Sequence, residues 1–422
     1  MTLDRRNFVL ASLAAGAAAA CGSNKDRGAA PAPGAAPGTS PGPGPGQATG
    51  PGPGPTTAPA SGLASGPASG PASGPASGAA PMPGAAPAKK SILVLGGTGF
   101  LGPHVVTSAL ARGHAVTLFN RGKTHPGLFP DVEKLHGDRD GHLEALAGRR
   151  WDAVVDPSGY VPRLVKASAE LLAPSVGHYV FVSTISVYAK HDVVNADESA
   201  AVETLADPAS EDVKAHYGAL KALCEQAAEA AMPGRVTTVR PGLIIGPGDP
   251  TGRFTHWPTR LSEGGEVLAP GDGSTPTQYI DGRDLGSWIV KLIEDRTVGT
   301  MNALGPAARV TMKQVLDACN AALGGKARLT WVDAGFLDHH GVEGWSDMPM
   351  WIDNKGEYAG FGTMQTIRAV RAGLAFRPIG DTARDTIAWL QTLPEDQRAK
   401  ARTSGIKPDK EAKVLAAWKA RK

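Results

Sequence analysis

Five short apolar runs, at 91–95, 115–119, 153–155, 179–183 and 236–239, alternate with helix-patterned stretches such as 103–112, 162–173 and 214–231. Runs that are apolar throughout suit strands covered on both faces, and strands separated by helices pair in parallel through crossovers. The alternation predicts an α/β chain: a doubly wound parallel sheet, followed by a smaller and partly interleaved C-terminal unit. The boundaries read as 89–247 for the sheet domain, 248–395 for the second unit and 396–422 for a basic tail helix.

The first run continues as "SILVLGGTGFLG", so Gly96, Gly99 and Gly102 follow a buried strand and open a helix. The first glycine permits a tight turn, the second lets backbone approach a pyrophosphate, and the third lets helix and strand pack closely. Amides at the helix start then face the phosphates, with Thr98, Phe100 and Leu101 completing the loop. The context is that of a Rossmann-type dinucleotide site. The second strand ends at Asn120 and Arg121, where NAD sites place an acid for the ribose and NADP sites a cation for the extra phosphate. A cation here favours NADP over NAD. In "HGDRD", Asp138 is placed to accept from the adenine amino group, with Arg139 beside it; in "VVDPSGY", Ser158 and Tyr160 either face the cofactor or shape a turn.

Chemistry would fall to "HYGALK", in which Tyr217 and Lys221 share a helix face one turn apart. A tyrosine has a reference pKa of about 10, so base work near neutrality requires a downward shift of about three units, which a lysine ammonium and an oxidised nicotinamide can favour. The chain holds 6 tyrosines, so the spacing alone is weak; its place after the fourth strand strengthens it.

With "GGTGFLG", "GD" at Gly137-Asp138, "FVSTISVY", "YGALK", "VRPGLIIGPGD" and "GDGSTPTQYIDGRDL" in that order, residues 90 to 300 resemble the NAD-dependent epimerase/dehydratase family of extended short-chain dehydrogenase/reductases. The resemblance implies a Tyr217–Lys221 pair with an assisting Thr184, Ser183 beside it at the substrate, Lys221 also holding the nicotinamide ribose, and a loop from Arg240 and Pro241 closing on the nicotinamide. It also implies pairing through the tyrosine helix and its predecessor, hence a homodimer. One departure matters. The arginine with which many family epimerases grip a substrate diphosphate falls on Thr277, which argues against a nucleotide-sugar substrate.

Beyond Gly246, "DPTGRFTHWPTRL" offers Arg253, His256 and Trp257 as a polar and aromatic pocket wall, the alternative being that Trp257 anchors the second unit. "WSDMPMWI" at 345–352 reads as core. Cys224 and Cys319 read as core residues, and the adjacent His339 and His340 lack metal-ligand spacing, so no metal site is expected. With 43 basic and 40 acidic residues, the charge balance argues against a nucleic-acid partner. The C-terminal "DKEAKVLAAWKARK" reads as a solvated helix, with a membrane-surface role as the alternative.

The N-terminus carries Arg5 and Arg6 before a weakly apolar stretch that ends at Ala18, Ala19, Ala20 and Cys21. Paired arginines in that position are the address of twin-arginine export, and small residues before a cysteine resemble a lipid-attachment site. Cleavage after an alanine, leaving a soluble product, is the alternative. Residues 22–88 are almost all Gly, Pro, Ala, Ser and Thr, too poor in apolar surface to offset the entropy of ordering; as a flexible tether they would reach ~45 Å. The leader places the protein at the periplasmic or cell-envelope face, lipid-anchored at Cys21, and the twin-arginine route carries folded, cofactor-loaded enzymes. Two functions fit: an NAD(P)-dependent oxidoreductase or epimerase acting at a secondary alcohol or ketone of a small, perhaps sugar-like molecule, or a tethered NAD(P)-binding or sensing module without turnover.

Overall fold

The computed structural model describes residues 88–421; the leader, the Gly/Pro-rich stretch and Cys21 lie outside the described residues. Seven strands form the main sheet: β1 (Ser91–Leu95), β2 (Ala115–Asn120), β3 (Glu133–His136), β4 (Trp151–Asp156), β5 (Val176–Val182), β6 (Val236–Pro241) and β10 (Gly299–Ala303). They pair in parallel in the order β10-β6-β5-β4-β1-β2-β3. The order reverses between β1 and β4, and ligands of such sheets bind in the crevice at the carboxyl end of that switch point. The doubly wound parallel sheet expected from the alternation is what the chain forms.

Both faces of the sheet are covered because its central strands carry apolar side chains on both sides. Helices Leu101–Ala111 and Gly282–Asp295 bring Val105, Val106, Ala109, Leu285 and Ile289 onto Ile92, Val94 and Val180. Helices Pro162–Leu172 and Val213–Ala231 bring Val165, Leu172, Cys224 and Ala228 onto Leu93, Leu95 and Phe181 on the other face. Each fully buried aliphatic side chain contributes about 1.5–3 kcal/mol. Cys224 is buried among them as a free thiol, and Cys319 is likewise a free thiol within the second core.

That second core belongs to a lobe built from β7 (Leu243–Ile245), β9 (Pro276–Asp281) and β11 (Gly305–Thr311) in one small sheet and β8 (Gly265–Pro270) with β12 (Ala327–Val332) in another. Trp257, Trp345, Met348, Met350 and Trp351 fill it. The stretch 248–395 is shared between the two lobes. After β9 the chain returns to the first lobe, where helix Gly282–Asp295 packs on Leu101–Ala111 and β10 adds the seventh strand beside β6, before β11 re-enters the second lobe.

The C-terminal helix Pro408–Ala420, read from its charges as solvated, is instead docked. Glu411 is buried and accepts from the Leu268 amide at 2.9 Å and from Arg260 Nε at 2.8 Å, while Val414 and Leu415 enter the second core. Its lysines lie outward and hide this apolar stripe from a reading based on charge. No helix among the described residues is long and apolar enough to cross a membrane.

Candidate active site

The glycine turn leaves β1 at Gly96, whose φ of 120° only glycine adopts without strain. A Cβ on Gly102 would stand 2.5 Å from Gly97 Cα, so the third glycine is what lets the helix begin against the turn. Gly99 is exposed, and a Cβ there would meet no atom within 4 Å: backbone at this point borders open space. The helix Leu101–Ala111 has neither a side-chain cap nor an acid in its first turn, so its amides and positive dipole end are available to an anion. These features fit a dinucleotide pyrophosphate. Within the same loop, Thr98 is buried with its carbonyl accepting from His125 Nδ1 at 3.0 Å, Leu101 is buried, and Phe100 meets His104 edge-on at 5.8 Å.

Several residues expected to touch the cofactor make hydrogen bonds within the protein. Asn120 donates from Nδ2 to the Gly96 carbonyl at 3.3 Å and accepts at Oδ1 from the Gly122 amide at 2.8 Å, tying β2 to the glycine loop. Ser158 donates to the Leu95 carbonyl at 2.8 Å, bracing the same turn from β4. Asp138 accepts from the Asp140 amide at 3.1 Å within its own turn. Arg139 is corrected outright: both terminal nitrogens bond the buried Asp156 carboxylate at 2.7 Å, and one also bonds Ser168 at 2.8 Å. A buried carboxylate demands a cation, and Arg139 satisfies it. Arg121 remains exposed at the end of β2, with no ion-pair partner among the described residues.

The Tyr217 helix, Val213–Ala231, is capped by Asp212, which accepts from the Lys214 and Ala215 amides at 3.0 and 3.1 Å. It is not straight. His216, immediately before the tyrosine, has non-helical angles (φ −131°, ψ 34°). Gly218 explains how the helix reaches the loop after β5, because a Cβ there would fall 2.1 Å from the Ser186 carbonyl oxygen. That contact brings Tyr217 to Thr184. The glycine of "YGALK" is thus a site determinant, and the smallness of that position was its only trace in the sequence.

Lys221 is buried and donates to the Gly159 and Val182 carbonyls at 2.6 and 2.7 Å. Its ammonium also lies 4.1 Å from the Phe181 ring centre and 5.3 Å from that of Tyr160. An ammonium has three donors, so one is left for a ligand. Burial lowers the Lys221 pKa to about 8. Burial has the opposite effect on the Tyr217 phenol, pushing it up to about 12, with Thr184 and the charge of Arg253 pulling the other way. The downward shift expected for a base is therefore absent from the protein's own groups. Tyr160, its ring 6.4 Å from that of Tyr217, joins the site from the loop after β4.

Thr184 accepts from the Ser186 amide at 3.1 Å and so opens the short turn that Gly218 contacts. Ser183 is buried, and its hydroxyl has no hydrogen-bond partner. Buried hydroxyls are nearly always paired, so this one calls for a ligand atom. Pro241 ends β6 beside them, and the preceding Arg240 holds Glu225, one turn beyond Lys221, at 2.9 and 2.6 Å.

The pocket wall expected after Gly246 divides. Arg253 faces the site closely enough for its charge to act on Tyr217. Trp257 does not: it is 1% exposed and donates to the Pro349 carbonyl at 2.7 Å, anchoring the second lobe. His256 is also corrected, being packed against the segment at Gly405, where a Cβ would sit 2.1 Å from its Nδ1. On a short helix adjacent residues point in different directions, so one loop could not aim all three side chains at one cavity.

Residues 92–303 match the model of the NAD dependent epimerase/dehydratase family. The chain belongs to that family. It is 28% identical over 225 residues to the chloroplast stem-loop binding protein of 41 kDa b of Arabidopsis thaliana, covering 50% of this chain and 56% of the relative. It is 32% identical over 222 residues to the 2-alkyl-3-oxoalkanoate reductase of Stenotrophomonas maltophilia, covering 47% and 64%. The chain thus spans less than two thirds of either relative. The Bordetella bronchiseptica enzyme WbmH, solved in complex with NAD+, shares the fold with a TM-score of 0.52 at 16% identity, over 72% of this chain and 99% of that one. Membership makes this an NAD(P)-binding fold of oxidoreductase type.

Proposed function

We propose that this protein is an NADP-preferring oxidoreductase that reduces a ketone, or oxidises the matching secondary alcohol, of a small molecule. The observation that carries this reading is the convergence of Tyr217, Lys221, Thr184 and an unpartnered Ser183 hydroxyl at the carboxyl end of a sheet whose glycine turn fits a pyrophosphate. When bound, the nicotinamide supplies or accepts a hydride at the substrate carbon. Ser183 and Thr184 orient the substrate oxygen by hydrogen bonding. Tyr217, held protonated at neutral pH by its burial, donates its proton to that oxygen as the carbonyl is reduced, and regains one from solvent. In the oxidative direction the cationic nicotinamide and the Lys221 ammonium favour the phenolate. Lys221 directs its remaining N–H to the nicotinamide ribose. The name of the Stenotrophomonas maltophilia relative, a reductase of an oxo group, supports the reductive direction.

Arg121 is the group proposed to select NADP, and the proposed setting is the periplasmic or cell-envelope face, reached by twin-arginine export with a lipid anchor at Cys21 and a homodimeric assembly. A second reading, a tethered nucleotide-binding module without turnover, draws support from the raised Tyr217. Fluorescence titration with NADPH and NADH, followed by turnover assays of Tyr217→Phe, separates them. Tight binding with activity that collapses in the variant is the expected result. Binding with no turnover of any ketone in the wild type would leave the second reading, and no binding of either nucleotide would overturn both.

A further inference from the structure

We propose that the substrate carries a single carboxylate, bound by Arg253 beside the reacting carbon; this deepens the reductase reading and rests on it. Among arginines with little exposure, Arg139, Arg240 and Arg260 each hold a carboxylate, at 2.7, 2.6 and 2.8 Å. Arg253 differs. Its Nε donates to Thr251 Oγ1 at 3.1 Å, but its Nη1 is buried with no partner, and no ion pair reaches it among the described residues. The buried Asp249 carboxylate acts on the Arg253 charge without bonding its guanidinium, because it accepts instead from the Thr251 amide at 2.9 Å and from the Thr251 hydroxyl at 2.7 and 2.9 Å. A buried N–H without an acceptor is costly, and a guanidinium cannot escape by losing its proton. Ligand carboxylate oxygens would satisfy the free edge of the fork with charge-assisted hydrogen bonds.

The surroundings limit the ligand to one such charge. The Arg253 guanidinium lies 5.4 Å from the centre of the Trp345 ring, whose Nε1 is a second buried donor without a partner. Where many relatives are expected to place a diphosphate-binding arginine, Thr277 is buried and donates to the Met350 carbonyl at 3.2 Å. His256, the other candidate cation, is turned to the C-terminal segment and held neutral, burial lowering it to about 4. One guanidinium with an indole beside it suits an apolar body ending in a carboxylate, and it suits a diphosphate poorly.

Calorimetric titration of the NADPH-loaded protein with a short 3-oxo acid, its methyl ester and inorganic pyrophosphate tests this. The acid is expected to bind at least tenfold more tightly than the ester, and pyrophosphate more weakly than the acid. Arg253→Met should abolish the acid–ester difference while NADPH binding stays within twofold. Arg253→Lys keeps the charge without the fork and should bind the acid more weakly than the wild type. Equal affinity for acid and ester, a preference that survives in Arg253→Met, tighter binding of pyrophosphate, or no acid binding at millimolar concentration would each overturn the assignment. A failure of the reductase reading shows elsewhere, as turnover unchanged by Tyr217→Phe, so the two claims fail separately.

Discussion

Two arginines, Arg139 under the glycine turn and Arg253 beside Tyr217, occupy comparable depths and do opposite things. Around Arg139 both terminal nitrogens are answered, and only its Nε is left without a partner: Asp156 receives two bonds from the guanidinium and one from the Tyr179 hydroxyl at 2.9 Å, and Ser168 receives a third guanidinium bond. Around Arg253 the bonds run out, leaving its Nη1, the Ser183 hydroxyl and the Trp345 indole N–H buried without partners. The nearly closed network fixes the relation of β3, β4 and β5, with the Arg139 Nε its one unanswered group. An open one is a weak contributor to stability and a strong candidate for binding.

The largest effect expected on the open side is chemical. Tyr217→Phe should lower kcat by about 10²–10⁴-fold with NADPH affinity unchanged, as steady-state rates and fluorescence titration would show. A milder loss would mean that another group carries the proton. On the closed side, Asp156→Ala strands the Arg139 charge and should destabilise the fold by about 3–5 kcal/mol in urea unfolding, whereas Arg253→Met, which breaks no direct ion pair and leaves Asp249 its Thr251 bonds, should cost less. Similar losses from both would erase the distinction between the two regions.

Acid provides a third probe. His178 and His256 are both lowered by burial to about 4, below an ordinary value of 6.5. The unfolded chain then binds more protons between these values, so stability is complete above about pH 6.5 and falls as pH drops toward 4. His256→Gln should remove about one proton's share of that fall, ~1.4 kcal/mol per pH unit, in unfolding curves taken across the range. A slope unchanged by the substitution would show that His256 is not the buried neutral group its packing implies. The smallest effect belongs to the exposed Arg121: Arg121→Ala should reduce the NADPH-over-NADH preference about tenfold, since one exposed phosphate contact is worth about 1.4 kcal/mol.

What could be read in advance follows the range of the forces involved. Strand periodicity, the glycine spacing and the Tyr217–Lys221 interval are local, and they give the sheet, the nucleotide turn and the helix that bears the tyrosine. Cys224, Cys319 and the "WSDMPMWI" cluster likewise announced themselves as core by composition. Partner choice is not local. Arg139 and Arg253 are the same residue type in similar loops, yet one bonds Asp156 directly and the other bonds only Thr251. Nothing near either in the chain distinguishes them.

By itself the sequence determined the doubly wound sheet, the position of the dinucleotide turn and the chemistry available to Tyr217 and Lys221, because each depends on residues within a few turns of one another. Only the tertiary structure decided that Asn120 and Ser158 brace the glycine turn, that Arg139 pairs with Asp156, that Trp257 and His256 belong to the second lobe, that the last helix docks through Glu411, and that Gly218 lets the tyrosine reach Thr184. Those outcomes depend on which buried groups find partners across the chain, and burial makes an unanswered polar group costly enough to override what each segment prefers alone.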